Sequence, residues 1–399
     1  MNQRVAITGM GMISSIGNTV EENFNALING KSGISFIENF DTIHKNVIKV
    51  GEIKLTNHEL SHQLGLEIDN DFCRTALLGT IAAKQAVKNA GIENINDCRS
   101  GLISSTSVGG MDMSEKYYYQ YFENDVNRKY ITGHDAGDST HKIAIELGLK
   151  GFVSTVSTAC SSAANAIMLG ARMIQSGQLD RVIVGGTDGL AKFTINGFKT
   201  LMILSDVDNQ PFDNNRKGLN LGEAAAFLVL ESEEIVAKEN KKVLAYVAGF
   251  GNANDAFHQT ASSENGEGAF LAMQKALKSA NLAPSAIDYI NAHGTATPNN
   301  DLSEGRAILR IFEENLPDFS STKAFTGHTL AAAAAIEAVY SILALEHNVV
   351  FPNLNFETPM EEFDLIPETT LKKKPIHNVL SNSFGFGGNC STVIFSKSK

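Results

Sequence analysis

The chain is short of cysteine, has no basic excess and carries no long apolar run, and each shortage narrows what it can do. Its four cysteines (Cys73, Cys98, Cys160 and Cys390) are spread over 399 residues, with no CxxC pair and no Cys/His spacing suited to zinc. Neither a metal centre nor a disulfide framework is expected, and reduced thiols in a cytosol fit better. The formal net charge of −11 argues against a general nucleic-acid binder, although it allows a local basic patch. No segment approaches the roughly 20 apolar residues of a membrane span. The opening Met1-Asn2-Gln3-Arg4-Val5-Ala6-Ile7-Thr8-Gly9 is too polar for a secretory leader. A soluble cytoplasmic protein is expected. No stretch has a disordered composition, and 43% hydrophobic with 19% charged residues is ordinary for a globular chain.

What is present is an alternation of strand and helix signals, repeated in two halves. Residues 4–9 read as a strand ending in glycine. Gly9-Met10-Gly11 resembles a dinucleotide loop only superficially, because the third glycine is misplaced and no acidic residue follows a second strand. A helix is expected over 19–29, with Thr19 and Glu22 as a capping box. Residues 36–70 read as irregular, 72–91 as an amphipathic helix closed by Gly91, and 100–106 as a strand. The segment 111–129 holds Tyr117, Tyr118, Tyr119, Tyr121 and Phe122, either an interface or core cluster or the wall of a tunnel. A helix over 139–149, a buried strand over 180–186, a polar turn over 211–218, a central strand over 223–231 and a short charged helix over 233–242 complete the first half. The second half opens as the first does. Residues 243–251 form a strand with Gly-x-Gly at its end, followed by helices over 268–280, 302–312 and 330–346 and strands at 287–293 and 379–395. Alternation of this kind argues for α/β layers with buried sheets, in two halves spanning 1–240 and 241–399.

Cys160 falls where a strand over 151–156 turns into an alanine-rich buried helix starting near Ala163. A helix start favours an anion such as a thiolate and can donate a backbone N–H to an oxyanion. The rival reading is an inert buried cysteine. Two histidines downstream, in Asn291-Ala292-His293-Gly294-Thr295-Ala296-Thr297-Pro298 and Ser321-Thr322-Lys323-Ala324-Phe325-Thr326-Gly327-His328, shift the balance towards a site. Glu337, inside an otherwise apolar helix, demands a partner for its carboxylate.

With Pro211-Phe212-Asp213, Asn254-Asp255-Ala256-Phe257-His258 and Asn382-Ser383-Phe384-Gly385-Phe386-Gly387-Gly388, these motifs make the whole chain resemble the β-ketoacyl-acyl-carrier-protein synthases. These are condensing enzymes of the thiolase superfamily, and the elongating type is most similar. The resemblance implies a five-layered αβαβα fold and decarboxylative Claisen condensation of a cysteine-bound acyl chain with a malonyl-carrier protein. Cys160 would be the nucleophile. The backbone N–H groups of Cys160 and Phe386 would form an oxyanion hole, with the Phe386 loop acting as a gate. His293 and His328 would serve malonyl decarboxylation, and Lys323 would pair with Glu337. Thr295 and Thr297 would hold the pantetheine arm (turn capping is their alternative), and Gly387 and Gly388 would line the substrate's path. No cofactor or metal is implied. The implied partners are acyl carrier protein and a second subunit, identical or related, in fatty-acid or polyene and polyketide synthesis.

The chain departs from the family pattern in places. Ala331 to Ala335 stand where glycines are usual, Asn389-Cys390 where Thr-Asn is, Ala224 for a glycine, Ser14 for a proline and Asp188 for a glutamate. Two rivals remain beside the main reading: a non-catalytic chain-length partner, and a coenzyme A-dependent thiolase or acyltransferase.

Overall fold

The computed structural model describes residues 4–39, 42–123 and 125–397. Met1, Asn2 and Gln3 of the opening stretch lie outside them. The first half runs β1 (Val5–Ser14), α1 (Arg74–Asn89), β2 (Ser100–Ser105), α2 (Ala136–Glu146), β3 (Phe152–Val156), α3 (Ser162–Gln175), β4 (Arg181–Asp188) and β5 (Ala224–Ser232). The second half runs β6 (Ala245–Asn254), α4 (Glu267–Ala280), β7 (Tyr289–Asn291), α5 (Pro298–Phe312), β8 (Asp318–Ser320), α6 (Ala333–His347), β9 (Asn378–Phe384) and β10 (Asn389–Lys397).

The strands form one ten-stranded array in the order β8-β7-β9-β10-β6-β1-β5-β4-β2-β3. It divides at a narrow seam, where β6 and β1 pair only over Val5, Ala6 and Ile7. On either side the pairing is the same. From the seam outward, β1–β5 and β5–β4 are antiparallel while β4–β2 and β2–β3 are parallel. Their counterparts β6–β10 and β10–β9 are antiparallel, and β9–β7 and β7–β8 are parallel.

Strand alternation sorts side chains between layers. In β5, Ala224, Ala226, Leu228 and Leu230 face a central core shared with α3 and α6, whereas Ala225, Phe227 and Val229 face an outer core shared with α1. In β9 and β10, Val379, Val393 and Phe395 join the central core, and Leu380 and Ile394 join an outer core with α4 and α5. Helices α3 and α6 thus lie between two sheets, each covered outside by further helices, which is the expected five-layered αβαβα arrangement.

The segment read as irregular contains a small hairpin, Ile34–Phe36 with Lys49–Gly51, and a helix Asn57–Leu64 with a full Thr56/Glu59 capping box. At the first helix, Val20–Ile28, Thr19 accepts from the Glu22 N–H, but the Glu22 carboxylate takes the Asn18 N–H instead, so the expected reciprocal box is displaced by one residue. The turn at 211–218 is not polar throughout: Phe212 and Asp213 are fully buried. The alanine run opens as a 3-10 turn, Leu330–Ala332, before α6 begins. Residues Leu330–His347 are long and apolar enough by composition to cross a bilayer, contrary to the sequence reading, but 89% of that window is buried, which makes it a core helix.

Candidate active site

Cys160 stands two residues ahead of the first residue of α3, not on the helix itself. Ala159 before it has φ 52°, a left-handed backbone that a residue with a Cβ seldom adopts. The Ser162 hydroxyl holds this turn, donating to the Ala159 carbonyl at 2.5 Å and accepting the Thr158 N–H at 2.8 Å. The sulfur is buried, and the backbone N–H groups of Phe386 and of Cys160 itself both bear on it. Burial nevertheless pushes the thiol up to about 11, against the opposing pull of Lys323 and the Phe386 N–H. The expectation of a thiol acidified by the helix start is corrected accordingly: desolvation outweighs the amides, and the resting group is a neutral thiol.

The two histidines leave adjacent strands of the second half. His293 follows β7, and its turn is fixed from α5, where Glu304 accepts the His293 and Gly294 N–H groups, each at 2.8 Å. Burial pushes Glu304 up to about 7. His328 follows β8 and the short helix Lys323–Thr326, and its N–H donates to the Asn220 carbonyl at 2.7 Å. The rings meet edge to face, with centroids 5.3 Å apart at 87°. Burial, reinforced by the charge of Lys323, holds both imidazoles well below their usual range, so both are neutral at pH 7. In each ring Nδ1 is buried with no hydrogen-bond partner among the described residues. For His293 a hydrogen bond to the Phe384 backbone opposes that depression, and a neutral ring donates through whichever nitrogen carries its proton.

Lys323 and Glu337 form a buried ion pair. Burial outweighs the lysine and raises Glu337 to about 6.

Cys160, His293 and His328 line one cleft of about 320 Å³. Thr295, Thr297, Phe386, Gly387 and Gly388 line it too, with the two threonine hydroxyls 2.9 Å apart. Lys323 and Glu337 are not part of its lining and stand behind the histidines. The Phe386 ring stacks on Phe198 at 6.0 Å and 18°, and Gly387 and Gly388 both have φ +80°, backbone that favours glycine. None of Tyr117, Tyr118, Tyr119, Tyr121 or Phe122 lines the cleft. Tyr118, Tyr119 and Phe122 are exposed, and Tyr117 stacks on Tyr130 at 4.3 Å.

Sequence reasoning gave no role to the carboxylates that frame the site. Asp188 accepts from Thr106, Ser107, Val108 and the Ala331 N–H. Asp301 accepts the Phe212 N–H at 2.7 Å and the Ala296 N–H at 3.1 Å. A signal did exist for two of them. Asp301, Glu304 and Ile308 share one face of α5 at helical spacing, which places both acids on the buried side.

A thiol and two neutral imidazoles over one cleft, carried by paired halves of this topology, define a thiolase-fold acyl-transfer enzyme. The description "Beta-ketoacyl synthase, N-terminal domain" matches residues 2–235, and "Beta-ketoacyl synthase, C-terminal domain" matches residues 244–357. The chain belongs to the β-ketoacyl synthase family, and it is an enzyme of the acyltransferase class. It is 33% identical over 414 residues to 3-oxoacyl-[acyl-carrier-protein] synthase 2 of Vibrio harveyi, covering 99% of each chain. It is also similar to the ishigamide ketosynthase/chain length factor structure (TM-score 0.91, 30% identity, 100% of each chain). A type II PKS ketosynthase, solved in complex with its acyl-carrier protein and bound to a hexaketide, superposes with a TM-score of 0.90 at 26% identity over 100% of each chain.

Proposed function

We propose that the protein elongates an acyl chain on Cys160 by decarboxylative condensation with a malonyl-carrier protein. The observation that carries this reading is the convergence of Cys160, His293 and His328 on one cleft, with the imidazole centroids 5.3 Å apart. In the first transfer the Cys160 sulfur attacks the carrier thioester. The oxyanion is held by the N–H groups of Cys160 and Phe386, and the thiol proton ends on the departing pantetheine sulfur. No net proton is lost, so a thiol raised to about 11 is a workable resting state.

In the second step the malonyl carboxylate leaves as carbon dioxide. The enolate oxygen is held by a ring N–H of each of the neutral His293 and His328, and the carbon attacks the acyl-Cys160 carbonyl. One proton is taken up to restore the thiol. Each oxyanion donor contributes about 3 kcal/mol. Lys323 and Glu337 fix the charge behind the histidines, and Thr295 and Thr297 hold the pantetheine amide. The partners on this reading are acyl- and malonyl-loaded carrier proteins and a second subunit, identical or related, in the cytoplasm. The solved ketosynthase with its acyl-carrier protein and the ketosynthase/chain length factor pair support that choice.

The test is incubation with acyl-carrier protein and carboxyl-labelled malonyl-carrier protein. Cys160→Ala abolishes acyl loading. Cys160→Gln blocks loading yet still releases labelled carbon dioxide, and loss of both in that variant contradicts the division of labour.

A further inference from the structure

The loop that carries Phe386 is closed at its base by a backbone bond, the Gly385 N–H donating to the Asn389 carbonyl at 2.9 Å. One side of the loop leans on the segment 254–259. The Gly387 N–H reaches the Gln259 carbonyl at 2.7 Å, and the Asp255 N–H reaches the Gly388 carbonyl at 2.8 Å. The other side is tied by a single atom. Asn389 Oδ1 accepts from the Ser161 hydroxyl at 2.7 Å, from Asn165 Nδ2 at 2.9 Å and from Asn252 Nδ2 at 2.9 Å. The Ser391 hydroxyl adds a longer contact at 3.4 Å, and an amide oxygen with two lone pairs is saturated by the three short ones. They come from three places: the residue after Cys160, the first turn of α3, and β6, the strand paired with β10. Gly385 rests on the same cysteine turn, where a Cβ would stand 2.8 Å from the Thr158 carbonyl. Between these two anchors Gly387 and Gly388 take left-handed backbone that favours glycine.

We propose that Asn389 is a positioning residue that latches the Phe386 loop to the cysteine turn, setting the Phe386 N–H over the Cys160 sulfur for acyl loading. This rests on the acyl-transfer reading above. What matters on this account is an accepting oxygen at position 389. Asn389→Ala removes it, and the donors fall back on acceptors outside the loop base: the Thr158 carbonyl for Ser161, Thr158 Oγ1 for Asn165, and Asn165 Oδ1 or Ser391 Oγ for Asn252. Asn389→Asp keeps it, and the half-buried carboxylate receives the same donors.

The experiment measures acyl loading of Cys160 by intact-protein mass, and amide hydrogen exchange over 385–391 in the unliganded protein. Asn389→Ala slows loading about tenfold or more, through kcat with KM for the acyl-carrier protein unchanged, since a misplaced oxyanion donor acts on the transition state. Exchange in the loop accelerates. Asn389→Asp restores loading to within about threefold of the parent protein and slows loop exchange again, because the accepting oxygen is back. With Cys160→Gln as the background, Asn389→Ala leaves malonyl decarboxylation within about twofold, because that step uses the histidines and not the latch. The latch is overturned if Asn389→Ala loads at the parent rate, if the aspartate variant is as slow as the alanine one, or if decarboxylation falls in step with loading. If the parent protein takes no acyl group while loop exchange still follows the acceptor, the acyl-transfer reading fails and the latch stands.

Discussion

The two halves repeat one framework and end it differently. In both, an edge strand leads through a left-handed non-glycine residue towards a central helix: Ala159 (φ 52°) ahead of α3 and Leu330 (φ 53°) ahead of α6. In one half the residue presented beside that turn is Cys160, in the other His328. In both, the next strand inward leads to a second loop. After β2 that loop, Thr106 to Val108, is filled by the Asp188 carboxylate, and its donors are satisfied by the protein. After β7 the loop is also braced by buried carboxylates, Glu304 at the His293 and Gly294 N–H groups and Asp301 at the Ala296 N–H, but the side chain it carries, His293, lines the cleft. Buried polar groups are normally paired. One copy satisfies its groups internally and becomes frame. The other is braced in the same way but turns an imidazole into the cleft. The repeated strand pattern supplies the scaffold, and the side chains that its equivalent loops present to the cleft make a site of it.

The largest test of this contrast removes a buried partner on the reactive side. Lys323→Met leaves the Glu337 carboxylate uncompensated, and stability falls by about 3–5 kcal/mol in urea melts near neutral pH. Loss of the cation also lets both histidines titrate at higher pH, because Lys323 is one cause of their depression. Unchanged histidine titration by NMR in that variant means the two imidazoles do not sense the ion pair. The next effect is a pH slope. Glu304 is raised from 4.5 to about 7, so the folded state binds its proton more tightly than the unfolded chain does. Its contribution is fully present below about 4.5 and is lost as pH rises through 7, on the order of 3 kcal/mol. The histidines act in the opposite sense. Their lowered folded values give stability above 6.5 that is lost as pH falls. Glu304→Gln therefore flattens the decline in unfolding free energy on raising the pH from about 5 to about 8. An unaltered slope removes Glu304 from the account.

What could be read beforehand follows from how local each signal is. The strands, the long helices and the echo of Gly9-x-Gly11 in Gly249-x-Gly251 are written in periodicity and turn chemistry, which act within a dozen residues. Cys160 is marked by its place between a strand and an alanine-rich helix, and His293 and His328 by glycine- and threonine-rich turns. Glu337 announced a partner because a carboxylate in an apolar helix cannot stand alone. Buried charges on polar-looking segments were not legible. Arg74 meets Glu223 at 2.6 Å and Arg181 meets Glu231 at 2.6 Å, and in sequence these residues are indistinguishable from solvated ones. The acidity of Cys160 was misjudged for the same reason. A helix start is visible in the sequence, but the depth of burial that outweighs it is set by distant segments. The Thr56/Glu59 capping box is legible in sequence as a helix start inside a stretch of otherwise irregular composition.

The smallest test asks whether the framework itself is a true repeat. Gly11 of β1 lies so close to α1 that a Cβ would stand 2.3 Å from the Ala82 carbonyl. Gly251 of β6 lies against α4 in the same way, 2.2 Å from the Ala272 carbonyl. Both obstacles are helix backbone, which cannot swing aside as the end of a side chain can. Gly11→Ala and Gly251→Ala must each push a helix away from its sheet, at about 1–3 kcal/mol apiece. Because the two contacts sit in different outer cores, the double variant loses close to the sum of the single losses. Equal falls in thermal midpoint are expected, with Cys160 loading preserved in whatever fraction stays folded. If one substitution is absorbed while the other unfolds the protein, strand-helix packing is not equivalent in the two halves. The contrast between frame and reactive copy would then reach below the loops into the sheets themselves.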